Sequence, residues 1–359
     1  MKERIKFIDI SRAFAIIFIV LGHTIVHSEH CRILYKFIYS FNVVLFFIIS
    51  GYVFKIKSEK FEVFLKNKFT RIMIPYFAWE TMFLIPYFLF GNNVDNTLGN
   101  NGSFSIKQII LNILIGNGNN SALKQNTSLW FLPALFTMEI VFYFIIKKIQ
   151  KLNNKQIDIM TLVILFLIGM ISSYLKYNLI WGLKTVLNIG VFFYIGYLLK
   201  KYNMFKENYF LTKNYVIVIM VLLGLCGFYF NGIVGCIDYV YGNYYLMFLS
   251  GLFISLIIIN ISYKIKNSNI LEYIGRNTMG ILIFHKLIVI IFQGKLGKIS
   301  QILTNSNFIL EVTISILVTV ISIMVSLFIN EIIRKISPIL IGEKNKMPNN
   351  KKSYKLIKS

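Results

Sequence analysis

Acidic residues, histidine and cysteine are all scarce in this chain. Against 38 Lys and Arg stand only 15 Asp and Glu, with four His and three Cys. Charged residues make up 15% of the 359, well below the roughly 25% of a soluble domain. Cys31, Cys226 and Cys236 lack C-x-x-C spacing, and four histidines supply no metal-ligand cluster, so no metal is expected. Cys31 and Cys236 can both be placed on the outer side; a disulfide is one reading, unpaired small hydrophobes the other. No internal repeat, no nucleic-acid motif and no small-x-small cleavage site are evident. The first argues against a transporter built from paired halves, the second against a nucleic-acid partner, and the third leaves the first apolar run as a span rather than a cleaved signal.

What the chain does hold is apolar length. It is 56% hydrophobic and 16% aromatic, with a mean hydropathy of +0.66. Several runs reach the roughly 20 residues that cross a hydrocarbon core as helix. Ten spans are expected, near 8–27, 37–55, 73–90, 129–147, 157–175, 179–199, 214–232, 243–262, 273–293 and 308–331. The expected fold is all-α, a polytopic membrane helical bundle of about ten transmembrane helices. With both termini cytoplasmic, 28 of the 38 Lys and Arg fall in inner segments, seven in outer ones and three within spans. The excess positive charge is therefore mainly a topology signal, helped by anionic membrane lipid. Residues 1–337 read as one integral-membrane domain and 338–359 as a basic cytoplasmic tail. The outer stretch 91–128 is rich in Asn, Gly and Ser around SIKQIILNILIG, a candidate interfacial helix. It either helps hold a glycan or is a solvated linker.

Ionisable side chains inside apolar helices are costly and point to function. In FIDISRAFAIIFIVLGH, Arg12 and His23 are eleven positions apart, three turns plus about 20°, so they share a face at an axial separation of about 17 Å. Asp9 lies one turn before Arg12 and can pair with it. A histidine near neutral pKa can take the proton of a hydroxyl attacking an activated acyl group. A guanidinium three turns away suits a phosphate or carboxylate of a long donor. Coenzyme A has that shape, a charged nucleotide end and a slender arm bearing a thioester. The alternative is a buried ion pair plus a hydrogen-bonded core histidine. Lys68 and Arg71, one turn apart beside Pro75, stand out from a basic segment that otherwise reads as solvated.

Five strings in order resemble the membrane acyltransferase-3 family of cell-surface carbohydrate O-acyltransferases. They are Arg12-x10-His23 with Asp9 before it, FFIISGY at Phe46, Phe47, Ser50 and Gly51, Lys68-x-x-Arg71-x-x-x-Pro75, Leu129-Trp130-Phe131-Leu132, and Gly275-Arg276-Asn277-Thr278 with His285. Lys68 stands where the family pattern has arginine, which keeps the charge but loses bidentate geometry. Within the family the likeness is to the fucose 4-O-acetylase-like and polysaccharide O-acetyltransferase branch. The resemblance implies a multi-pass protein of the bacterial cytoplasmic membrane. It implies transfer of an acyl group, most often acetyl, from acetyl-CoA or another acyl-CoA to a hydroxyl of a surface polysaccharide or lipid-linked saccharide. In it His23 is the general base, Asp9 orients Arg12, and Arg12, Lys68, Arg71 and Arg276 contact the donor. Ser50 and Gly51 allow close helix approach near the donor channel, or simply pack. His285 is a second catalytic or acceptor-positioning residue, or makes a structural hydrogen bond. Glu139 handles a proton, or partners Lys184 or another buried donor. Trp130 belongs to an interfacial aromatic belt or stacks on sugar. A secondary transporter or flippase-like protein of glycan export is the reading from a different class.

Overall fold

The computed structural model describes residues 5–25, 29–56, 60–85, 106–116, 123, 126–175, 177–205, 210–303 and 308–344, without the side chains of 106, 210 and 291–303. The described helices are α1 (Lys6–Thr24), α2 (Arg32–Tyr39), α3 (Asn42–Val53), α4 (Phe61–Lys68), α5 (Ile74–Met82), α6 (Ile106–Ile115), α7 (Phe131–Leu152), α8 (Lys155–Tyr174), α9 (Leu183–Lys201), α10 (Asn214–Phe230), α11 (Tyr244–Ile265), α12 (Asn269–Arg276), α13 (Thr278–Leu303) and α14 (Phe308–Ile336). Among the described residues there is no strand, only one isolated bridge between Gly235 and Val240.

Among the described residues seven segments are long and apolar enough to cross a membrane: Lys6–Thr24, Arg32–Val53, Thr127–Leu152, Lys155–Tyr174, Ile180–Lys201, Tyr244–Ile265 and Phe308–Ile336. Asn214–Phe230 is a shorter apolar helix, and α13 is apolar over Thr278–Ile290, the part of it whose side chains are described. The third expected span, 73–90, begins as α5 and passes beyond the described residues at 86. Most of the 91–128 stretch and of the tail lies outside the described residues as well; within them the candidate interfacial helix is α6. This is a multi-pass membrane architecture. Exposed Ile159, Val163, Leu167 and Ile171 on α8, and Leu317, Met324 and Phe328 on α14, supply the apolar outside that lipid requires.

Helix α1 is the axis of the bundle, packed by α3, α11, α12, α13 and α14. Its small and β-branched residues Ile10, Ala13, Ala15, Ile16 and Val20 are fully buried. Turn chemistry sets the joints around it. Asn153 ends α7 in the left-handed region and Asn154 caps α8 by accepting from the Gln156 amide, so two asparagines reverse the chain. Asn243 and Ser268 cap α11 and α12 in the same way.

The FFIISGY string acts at the α3–α9 contact. A Cβ at Gly51 would lie 1.9 Å from the Phe193 carbonyl oxygen, and one at Gly196 would lie 1.9 Å from that of Ile48. The two glycines thus notch the helices into each other, as small residues do between membrane helices. Ser50 is half-buried beside this contact.

A second tie closes the other side of α9. Asp158, buried on α8, accepts from the Tyr194 hydroxyl at 2.9 Å, Lys201 Nζ at 2.5 Å and the Tyr202 hydroxyl at 2.5 Å. Removing one partner of a buried ion pair strands the other charge. Asp158→Ala is expected to cost about 3 kcal/mol and to lower the melting midpoint of the detergent-solubilised protein by roughly 5–10 °C. A midpoint unchanged in Asp158→Ala would reject the tie.

Candidate active site

Two polar centres sit at opposite ends of α1. At its N-terminal end Arg12 Nη1 lies 3.3 Å from Asp9 Oδ1, and Arg276 Nε lies 3.6 Å from Asp9 Oδ2. Arg276 also pairs with Glu272 at 2.5 Å. Gly275 makes this possible: a Cβ there would lie 1.8 Å from the Asp9 carbonyl oxygen, so only glycine lets α12 come this close to α1. Ile5, Ile8, Asp9, Arg12, Val53 and Arg276 enclose a cavity of about 210 Å³. One carboxylate thus holds two guanidinium planes, each with five N–H donors, at the edge of one polar pocket.

At the other end His23 faces His285 of α13, with ring centroids 5.4 Å apart and planes inclined by 36°. His285 is fully buried. Its Nδ1 lies 2.8 Å from the Ile281 carbonyl oxygen, which can only accept. The proton is therefore on Nδ1, and Nε2 is left to accept from the Ser128 hydroxyl at 3.4 Å. Asn126 links Ser128 to α13, accepting from the Ser128 amide at 3.2 Å and donating to the Ile283 carbonyl at 2.8 Å. His23 and Ser128 line a cavity of about 160 Å³ with Tyr35, Tyr39, Asn42 and Trp130 among its walls. Cys236 lines it too, but burial pushes its thiol up to about 12, so it is no thiolate near neutrality. None of the three cysteines is in a disulfide, so the Cys31–Cys236 bridge is not formed, and Cys31 Sγ instead donates to Glu311 at 3.3 Å.

The other singled-out residues lie elsewhere. Lys68 donates to Glu139 at 2.7 Å and sits over the rings of Phe54 and Phe64. Glu139 therefore partners Lys68 and not Lys184, which donates to the Leu175 carbonyl between the rings of Tyr177 and Tyr239. Arg71 follows within a π-helical turn, Phe69–Met73, that joins α4 to α5; its side chain is exposed and has no ion pair among the described residues. Asn277 of the late string is a brace: its Oδ1 accepts from Asn330 at 2.9 Å and Arg334 at 2.5 Å, tying the α12–α13 joint to α14.

A family model described as an acyltransferase domain, that of the acyltransferase-3 family, matches residues 5–329. The chain belongs to the acyltransferase-3 family. No curated protein and no solved structure matches it. In this acyltransferase the matched region takes in both polar centres, from Asp9 to His285. Sequence reading overlooked Ser128 and Asn126. Their position just before Leu129-Trp130 was the available signal, since Asn-x-Ser at a helix entry is a capping pattern.

Proposed function

We propose that this acyltransferase moves an acyl group, acetyl in the simplest case, from acyl-CoA to a hydroxyl of a surface polysaccharide or its lipid-linked precursor. This is the chemistry of the polysaccharide O-acetyltransferase and fucose 4-O-acetylase-like branch, and its seat would be the bacterial cytoplasmic membrane. The observation that carries the reading is the shared face of α1, which links a two-guanidinium pocket to the His23–His285 cavity across about 17 Å of helix.

In this reading the charge bias puts the Arg12 end in the cytoplasm, where the phosphates of CoA meet Arg12 and Arg276, with Arg71 and Lys68 nearer the rim. The thioester arm runs along α1 towards His23. His23 takes the proton of the acceptor hydroxyl as its oxygen attacks the thioester carbonyl. The C–S bond then breaks, and the leaving thiolate takes up a proton as free CoA. His285, with its tautomer set by Ile281, holds the acceptor side of the cavity in place. Asp9 orients the guanidinium groups.

Base-labile acetate on the surface glycans of the host tests this. It is expected to fall in a deletion strain and to return with the native chain. Acetate that stays constant while the quantity of exported glycan changes would put the transporter reading in its place.

A further inference from the structure

Lys184 is the second residue of α9, where the helix dipole disfavours a cation, and it is only 5% exposed. Its Nζ donates to the Leu175 carbonyl at the end of α8 at 2.8 Å. It also lies 4.9 Å from the centroid of the Tyr177 ring and 4.5 Å from that of Tyr239. Among the described residues the charge is thus held by a carbonyl and two aromatic faces rather than by a carboxylate. An unbranched apolar side chain would fill such a site at less cost, so the ammonium itself points to a role.

Tyr239 belongs to the loop 231–243 between α10 and α11. At φ 59° it stands in the left-handed region, unfavourable for an aromatic residue. Such a conformation persists only where the surroundings impose it. Lys184 imposes it at the Tyr239 ring. Asn188, one turn further along α9, grips the loop again by donating to the Tyr241 hydroxyl at 3.1 Å, and its carbonyl accepts from Tyr244 at 2.6 Å. Within the loop Gly235 and Val240 exchange two backbone hydrogen bonds, at 2.7 and 2.9 Å. That pair closes a reversal from which Cys236, Ile237 and Asp238 line the same cavity as His23. The wall beside His23 is therefore fixed from α9, a helix with no side chain among the described lining residues.

We propose that Lys184 is a positioning residue for the acceptor: held against Tyr239, its ammonium keeps residues 235–238 in place as a wall of the His23 cavity, and so sets how tightly the acceptor sugar is held. The proposal rests on the acyltransferase reading and adds what shapes the acceptor side of the site. The donor pocket at Arg12 lies at the far end of α1, so the effect is confined to the acceptor.

Two variants of the full chain in liposomes test it. Lys184→Met removes the charge and keeps an unbranched side chain; Lys184→Arg keeps a cation over the rings. CoA release is followed with acetyl-CoA as donor and native membrane glycan as acceptor. Lys184→Met is expected to raise the apparent KM for glycan about tenfold and to leave that for acetyl-CoA within about twofold, with Lys184→Arg near native. Adding Tyr239→Leu to Lys184→Met should raise the glycan KM no further than either change alone, since both remove one contact. The second readout needs no turnover. Cys236 is buried, and its labelling by N-ethylmaleimide, located by peptide mapping, should run about tenfold faster in Lys184→Met as the loop opens. Lys184→Arg should label as the native chain does, and Cys31, beside Glu311, should label alike in all three. Native-rate labelling of Cys236 in Lys184→Met overturns the proposal, whatever the activity. So does an equal rise of both KM values. If the native chain releases no CoA on glycan, the acyltransferase reading fails and the acceptor role with it. If release persists and needs His23 while Lys184→Met keeps the native glycan KM, that reading stands and only the role of Lys184 falls.

Discussion

His23→Ala is expected to lower acyl transfer by about 10²–10⁴-fold, the range that a positioned general base contributes, with CoA affinity little changed. His23 lies at the wall of an open cavity, far along α1 from the Arg12 pocket, so in the proposed mechanism its loss removes the proton acceptor and leaves the donor's charged end in place. CoA release from acetyl-CoA by protein in liposomes, with native membrane glycan as acceptor, measures it. Free imidazole is expected to restore part of the rate, because the cavity of about 160 Å³ beside His23 can take the ring back. His285→Ala should not be rescued. That imidazole is fully buried, and its removal takes from the buried Ser128 hydroxyl its partner on α13. Full activity in His23→Ala would remove it from the mechanism.

The parts of the site legible in the sequence are those confined to one helix. The Arg12–His23 face follows from 3.6-residue periodicity alone, and Asp9 beside Arg12 from one turn of helix. What periodicity cannot give is which helices meet. Arg276 reaches Asp9 across 267 positions, and Lys68 reaches Glu139 across 71. The pairing of Lys68 with Glu139 drew two residues singled out for separate roles into one ion pair, because a half-buried ammonium beside a buried carboxylate offsets the cost of burying either alone. The close helix approach expected at Gly51 is where α3 notches against α9, whereas nothing in the sequence marked Gly275 as the residue that brings the Arg276 guanidinium to the Asp9 carboxylate. The count of spans was less legible at both ends of the scale. Asn214–Phe230, with 17 residues, lies at the lower limit for a span, and the helix that begins at Thr278 is described with side chains only to Ile290.

Arg12→Gln and Arg276→Gln are each expected to raise the KM for acyl-CoA about 10–100-fold while changing kcat far less. A hydrogen bond to a charged group contributes roughly 1.5–3 kcal/mol, and about 1.4 kcal/mol is a factor of ten. In the proposed mechanism the chemistry takes place near His23, so an interaction with the nucleotide end holds ground state and transition state alike. Asp9 and Glu272 offset the positive charge of the pair, which makes the pocket a fixed array of N–H donors rather than a concentrated cation. Geometry therefore matters more than charge. Arg12→Lys should recover little, since an ammonium cannot reproduce the fork of a guanidinium. Asp9→Asn should raise KM less than either arginine variant, because it loosens the two planes without removing a donor. An Arg12→Lys protein with native KM would mean that charge alone holds the donor. If neither arginine variant shifts KM, the donor's phosphates are held elsewhere, and the exposed Arg71 becomes the residue to change next.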